Sequence, residues 1–275
     1  MIKPEDVTII IPHLGGNPEA EYALDQCLQS LHETAFDINI VIAFNGGACK
    51  HKPQELGDIK LYNQGQCKAV NAAAATVSTP WIFVTNDDMV YSGNWWERLT
   101  RWGAEHYQCI SPQLVEPRLG APTFQVQPFG GAGGDFDKVK WDKFVEEYPA
   151  IHEIRTGFNL PFLISKELWD TVGGYDINFD PWGSNGDSDL EYKIRLAGVQ
   201  PYQNTNCIVY HFSQTSDTFH PDNLSYWQKN WDYFIKKWGF PRTDDGIWEA
   251  NFKMPETPER KFRPDWEAAY GPVNG

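Results

Sequence analysis

The sequence predicts an α/β fold, a mostly parallel sheet wound on both faces by helices. Three observations predict it. Short apolar runs rich in β-branched and aromatic residues, such as Val7–Ile11 and Trp81–Val84, read as strands covered on both faces. They alternate with stretches of helical period. Three of the strands end in polar or glycine-rich groups: Pro12-His13, Asn45-Gly46-Gly47 and Asn86-Asp87-Asp88. In a parallel sheet those ends meet along one rim, where open α/β sheets bind ligands.

In chain order, the strand Val7–Ile11 is closed by Pro12 and the turn-prone Gly15-Gly16-Asn17-Pro18. Glu19–Glu33 follows as a helix with Ala23, Cys27, Leu28 and Leu31 on one face. Asn39–Phe44 is the second strand, and a less regular stretch leads to Leu61-Tyr62. Asn63-Gln64-Gly65 opens a helix whose small face, Ala69, Val70, Ala73, Ala74 and Val77, lets it approach the sheet closely. Thr79-Pro80 stops it before the strand Trp81–Val84.

Gly93-Asn94 leads into a helix over Trp95–Glu105. The region 108–156, rich in Gly and Pro, reads as loops with one short helix over Trp141–Glu147. An apolar segment Gly157–Ile164, a helix Lys166–Val172 and the turn Gly173-Gly174 come next. The segment from Phe179 to Glu191 opens a helix running to Gly198, and the strand Cys207–Tyr210 ends at His211. Leu224, Trp227, Trp231, Phe234 and Trp238 mark an amphipathic helix expected to pack its Trp face on the core. From Pro241 the chain is Pro-rich and charged without a sustained period, and reads as a surface extension.

A net charge of −14 over 275 residues argues against nucleic acid or an anionic membrane as the main partner. Five widely spaced Cys, with no Cys-x-x-Cys pair, favour reduced thiols and a cytoplasmic location over a disulfide framework. No apolar run is long enough for an integral membrane segment, and the N-terminus lacks the regions of a signal peptide. No Gly-x-Gly-x-x-Gly follows the first strand, and no phosphate-binding Gly-x4-Gly-Lys-Ser/Thr is present. Two adjacent carboxylates, Asp87 and Asp88, at a strand end read either as a solvated turn, where water makes their repulsion tolerable, or as a pair beside a divalent cation, where it is more so. Asp187 falls just before or in the first turn of a helix, where the dipole favours negative charge, and capping alone would account for it or for Asp189.

Several motifs in a fixed order make the chain resemble the family-2 inverting glycosyltransferases, which have the GT-A fold. Val7–Pro12 is similar to the opening strand of that family, and Phe44-Asn45-Gly46-Gly47 occupies its turn after the second strand. Asn63 to Asn71 matches Asn-x-Gly-x-x-x-Ala-x-Asn, and Asn86-Asp87-Asp88 sits at Asp-x-Asp. Val172 to Asp176, Gly186 to Leu190, Val209 to His211 and Lys237 to Gly239 complete the set, which spans about residues 7–240. The chain departs at Asn86 and Gly186, where the family carries Asp and Glu, and at Asn45, where Asp is frequent.

The resemblance implies one GT-A domain over 1–240, with a nucleotide-binding half (1–100), an acceptor and catalytic half (101–240), and a C-terminal extension (241–275). It implies a metal-dependent transfer of a hexose, with glucose favoured, from a UDP-sugar to a carbohydrate or other hydroxyl acceptor. Asp88 and His211 are the expected ligands of Mn²⁺ or Mg²⁺. Asp187 is the expected general base, with Asp189 holding the helix start. Pro12, His13, Asn45, Lys68, Asn86 and Asp87 are expected around the nucleotide sugar, and Trp182 under the acceptor. Two other classes are distinguishable: a two-carboxylate glycoside hydrolase would act without nucleotide, and a silent sugar- or nucleotide-binding module would bind without turnover.

Overall fold

In a computed structural model of the chain, the described residues are 2–34, 38–46, 59–61, 65–101, 107–117, 125–149, 154–213 and 221–238. The expectations for Gly47, Asn63, Gln64, Gly239 and the 241–275 extension lie outside them. The strands are β1 (Val7–His13), β2 (Asn39–Asn45), β3 (Ile59–Leu61), β4 (Trp81–Val84), β5 (Met89–Val90), β6 (Cys109–Glu116), β7 (Gln125–Val126), β8 (Ile154–Thr156), β9 (Phe162–Ser165) and β10 (Tyr202–His211). The helices are α1 (Pro18–Thr34), α2 (Gln66–Thr76), α3 (Trp95–Thr100), α4 (Lys138–Glu147), α5 (Lys166–Val172), α6 (Gly186–Leu196) and α7 (Leu224–Trp238).

The strands form one mixed sheet in the order β3-β2-β1-β4-β9-β6-β10-β5, with β7 on β6 and β8 on β10. The first four strands are parallel, as the apolar runs require. β9 inserts antiparallel between β4 and β6, and β10 runs parallel to β6. Alternate residues feed opposite faces of the sheet. Ile10, Ile82 and Val84 join the core under α2, α5 and α6, where Ala69, Ala73, Trp169 and Leu190 pack. Ile9, Ile11 and Phe83 join the other core, with Leu24, Leu31, Trp95 and Leu99 from α1 and α3.

The region 108–156 differs from the expectation of loops. β6 crosses the middle of the sheet and is buried throughout. Its Pro112 argues against an interior strand, because proline cannot donate to a ladder. Pro112 faces Asn204, and the register with β10 shifts between Asn204 and Ile208, so the missing donor coincides with an irregularity in the partner strand. Two further features were not expected, the two-residue β5 and the upstream half of β10. The latter is polar (Gln203 to Asn206) but buried.

Helix α7 corrects a second expectation. Asn230, Phe234, Lys237 and Trp238 are buried, but Trp227 is exposed and Trp231 only half-buried, the two indoles stacking at 5.7 Å. Its inner face is held largely by polar groups. Lys237 Nζ lies 2.8 Å from Asp176 Oδ2 and 2.7 Å from Asp189 Oδ1, and Trp238 Nε1 donates to Asp189 at 2.9 Å. Asp189, expected to hold the start of its own helix, is instead a fully buried anchor for α7. Cys27, Cys67, Cys109 and Cys207 are buried free thiols, and Cys49 lies outside the described residues. Among the described residues no helix is long and apolar enough to cross a membrane.

Candidate active site

The parallel register carries β1 to His13 beside Phe44 of β2, and Thr85 N donates to Ile10 O just past β4. The three polar strand ends therefore meet, as the sequence implied. They open on a cleft of about 510 Å³. Pro12, Asn45, Asn86, Asp87 and Asp88 line it from the strand ends, and Trp182 from the loop before α6. Asn45 Oδ1 accepts from Gly65 N (3.2 Å), and Asn86 Oδ1 from Gln66 Nε2 (3.2 Å), so both amides are tied to the start of α2.

His13 also borders the cleft, but its ring is fully buried and both nitrogens are engaged. Nδ1 lies 2.6 Å from Asp87 Oδ2 and Nε2 lies 3.3 Å from Glu21 Oε1. Burial alone would lower the imidazole pKa, but the Asp87 and Glu21 carboxylates outweigh it and raise it. His13 therefore acts on the cleft through Asp87, its ring set between two carboxylates. Glu21, three residues into α1, was not singled out from the sequence; a buried acidic residue on a helix has no signal there beyond the apolar face around it.

Asp88 has a matching arrangement. His211 Nε2 lies 3.2 Å from Asp88 Oδ2, and Nδ1 lies 2.6 Å from Glu116 Oε1 at the end of β6. Against burial, which lowers it, Asp88 and then Glu116 hold the His211 pKa up to about 10. Glu116 was hidden with its strand. A histidine whose Nδ1 is fixed by a carboxylate, with Nε2 turned to a second carboxylate, has the orientation of a metal ligand with its outer partner. Among the described residues no group of three or more His, Cys, Asp or Glu could hold a metal ion alone. Asp88 and His211 make a two-donor set, which fits a Mg²⁺- or Mn²⁺-type ion that takes its other ligands from water and phosphate.

Asp187 and Lys68 stand off the cleft wall. Asp187 is half-buried in the first turn of α6, five residues beyond Trp182, and its Oδ1 accepts from Tyr175 Oη at 2.7 Å. Burial, then Asp187, raise the Tyr175 phenol well above its ordinary range, so the hydroxyl is a donor at neutral pH. Tyr175 is in turn clamped by Asn71, whose Nδ2 donates to Tyr175 O (2.8 Å) and whose Oδ1 accepts from Tyr175 N (2.9 Å). The last Asn of the Asn63–Asn71 motif thus positions the residue that orients Asp187.

The backbone amide of Lys68, with that of Cys67, donates to the Asp180 carboxylate at 3.0 and 2.8 Å. Burial raises Asp180 to about 6 against the pull of these two amides. This cap ties the loop bearing Trp182 to α2. It also explains Gly65, which has φ +105° and where any Cβ would overlap the Asp180 side chain.

No family model matches the chain, and no curated protein matches it in sequence. Among solved structures it is similar to the crystal structure of GalNAc-T7 with UDP, GalNAc and Mn²⁺. The superposition has a TM-score of 0.56 at 14% identity, covering 95% of this chain and 55% of that one. The chain thus spans little more than half the length of that neighbour. At this identity the likeness shows the fold, which is the GT-A architecture.

Proposed function

We propose that the chain is a metal-dependent glycosyltransferase that moves a hexose from a UDP-sugar to an acceptor hydroxyl with inversion. The observation that carries this reading is the charge of the cleft. Asp87 and Asp88 line it, and no Lys or Arg is among the described residues on its wall. A nucleoside diphosphate would be repelled there unless a divalent cation stood between. The solved neighbour, crystallised with UDP, GalNAc and Mn²⁺ on the same fold, supports that pairing.

Asp88 Oδ2 and His211 Nε2 would hold the ion, with Glu116 fixing the imidazole and His13 fixing Asp87 toward the ribose side. When bound, the ion supplies charge neutralisation for the departing diphosphate. Pro12, Asn45 and Asn86 border the nucleoside. Lys68, whose backbone amide caps Asp180 at the start of α2, would reach a phosphate with its side chain. Asp187, oriented by Tyr175, takes the proton of the acceptor hydroxyl. That oxygen attacks the anomeric carbon on the face opposite the diphosphate, which leaves with the bonding electrons. Glucose is the first donor sugar to test, by the family resemblance.

The test is transfer by Asp187→Asn, which keeps the side-chain size but takes no proton. Turnover should fall by about 10²–10⁴, while UDP binding with Mn²⁺ survives and the wild-type product shows inverted configuration. Near-normal transfer by the variant, or a retained configuration, would place the chemistry elsewhere.

A further inference from the structure

The acceptor remains to be identified by its chemistry, and the N-terminal end of α7 bears on it. This end stands in solvent, with Leu224 55%, Tyr226 40% and Trp227 37% exposed. Yet Tyr226 and Asn223 line the same cleft as Asp87, Asp88 and Trp182. Their place is fixed by Asn230, four residues past Tyr226 and on the same helix face. Asn230 is fully buried, and its Nδ2 donates to Phe179 O (2.6 Å), Ser184 Oγ (2.9 Å) and Ser184 O (3.2 Å). These bonds pin the aromatic end of α7 to the loop that carries Trp182. Three residues past Ser184, Asp187 lies in the first turn of α6.

The wall so formed has a particular chemistry. Tyr226 and Trp182 offer flat apolar rings with polar edges. Asn223 and Gln66 offer uncharged amides able to donate and accept. A pyranose has the matching surface, an apolar C–H face and a rim of hydroxyls. Among the described residues the cleft is lined by no Lys or Arg, and its titratable side chains are Asp87, Asp88 and the His13 paired with Asp87, so no free cation there favours a phosphorylated or carboxylated acceptor. We propose that Tyr226, Asn223 and Trp182 form an acceptor subsite for a neutral sugar ring, so that the acceptor is a neutral glycan. The proposal rests on the transferase reading for its meaning, but the binding it asserts can be measured without nucleotide.

The experiment titrates the full chain with maltose, cellobiose, lactose and chitobiose, and with a glucuronic-acid disaccharide, by saturation-transfer NMR and calorimetry. Each is run without nucleotide and again with UDP and Mn²⁺. At least one neutral disaccharide should bind. Tyr226→Ala should weaken it by about tenfold or more, and Tyr226→Phe, which keeps the ring face, by less than about threefold. Binding unchanged in Tyr226→Ala, binding of the acidic disaccharide only, or no binding of any neutral disaccharide would overturn the proposal. The UDP titration in the same samples is read separately: its failure would overturn the transferase reading, whereas its success with the glycan arm failing would overturn the subsite alone.

Discussion

His13 Nδ1 lies 2.6 Å from Asp87 Oδ2 in the protein interior, and the other ring nitrogen faces Glu21 at 3.3 Å. A buried imidazole held between two carboxylates, which raise its pKa against burial, fixes the rotamer of the one that reaches the cleft. Removing it leaves both carboxylates without that partner. His13→Gln should therefore cost about 3–5 kcal/mol in urea unfolding, the usual penalty for breaking a buried ion pair from one side. A loss under about 1 kcal/mol would reduce His13 to a wall residue.

Glu116 stands behind His211 as Glu21 stands behind His13. Glu116→Gln keeps the shape but gives up the charge that orients Nδ1. Calorimetric Mn²⁺ affinity in the presence of UDP should fall by about 10–100-fold, the typical worth of an outer partner of a histidine ligand. Unaltered affinity would remove His211 from the metal site.

The two aromatic faces of α7 should respond differently to truncation. Phe234 is fully buried against Tyr192 and Trp238, so Phe234→Ala should cost about 3–5 kcal/mol. Trp231, half-buried and stacked on Trp227, should cost about 1 kcal/mol on the same change. Equal losses would mean that the whole stripe is core.

Lys237 bridges Asp176 and Asp189 beneath the candidate base, so Lys237→Met should destabilise by about 3–5 kcal/mol at pH 7. Despite burial, Lys237 holds the Asp176 carboxyl below its ordinary range. A depressed carboxylate contributes stability above its unfolded value, about pH 4, and loses it as the pH falls through the folded value. The gap between wild type and variant in chemical denaturation should accordingly narrow below about pH 4. A gap constant through that range would contradict the pairing.

Much of this arrangement was legible in the sequence where local pattern and burial agree. Short apolar runs placed β1, β2 and β4, and their polar ends placed Asp87 and Asp88 on one rim. Helical period placed α7 but misjudged its outer half, because the spacing of Trp227 and Trp231 says which residues share a face and not how far the core extends beneath them. β6 was hidden by Pro112, whose acceptability depends on a register shift in a strand some ninety residues away. Glu21 and Glu116 were missed, and Tyr175 stood only inside the Val172–Asp176 motif without a role, for a related reason. Each acts by orienting a side chain distant in sequence, and such partnerships exist only once the sheet has formed.

If the acidic cleft takes a nucleoside diphosphate through a divalent cation, UDP binding must depend on that ion. UDP is added to the full chain in Mn²⁺ and again in excess chelator, with Asp88→Ala in parallel. UDP should bind saturably in Mn²⁺ and be lost in chelator, with little metal dependence left in the variant. Equal UDP binding by the wild type in Mn²⁺ and in chelator would contradict it.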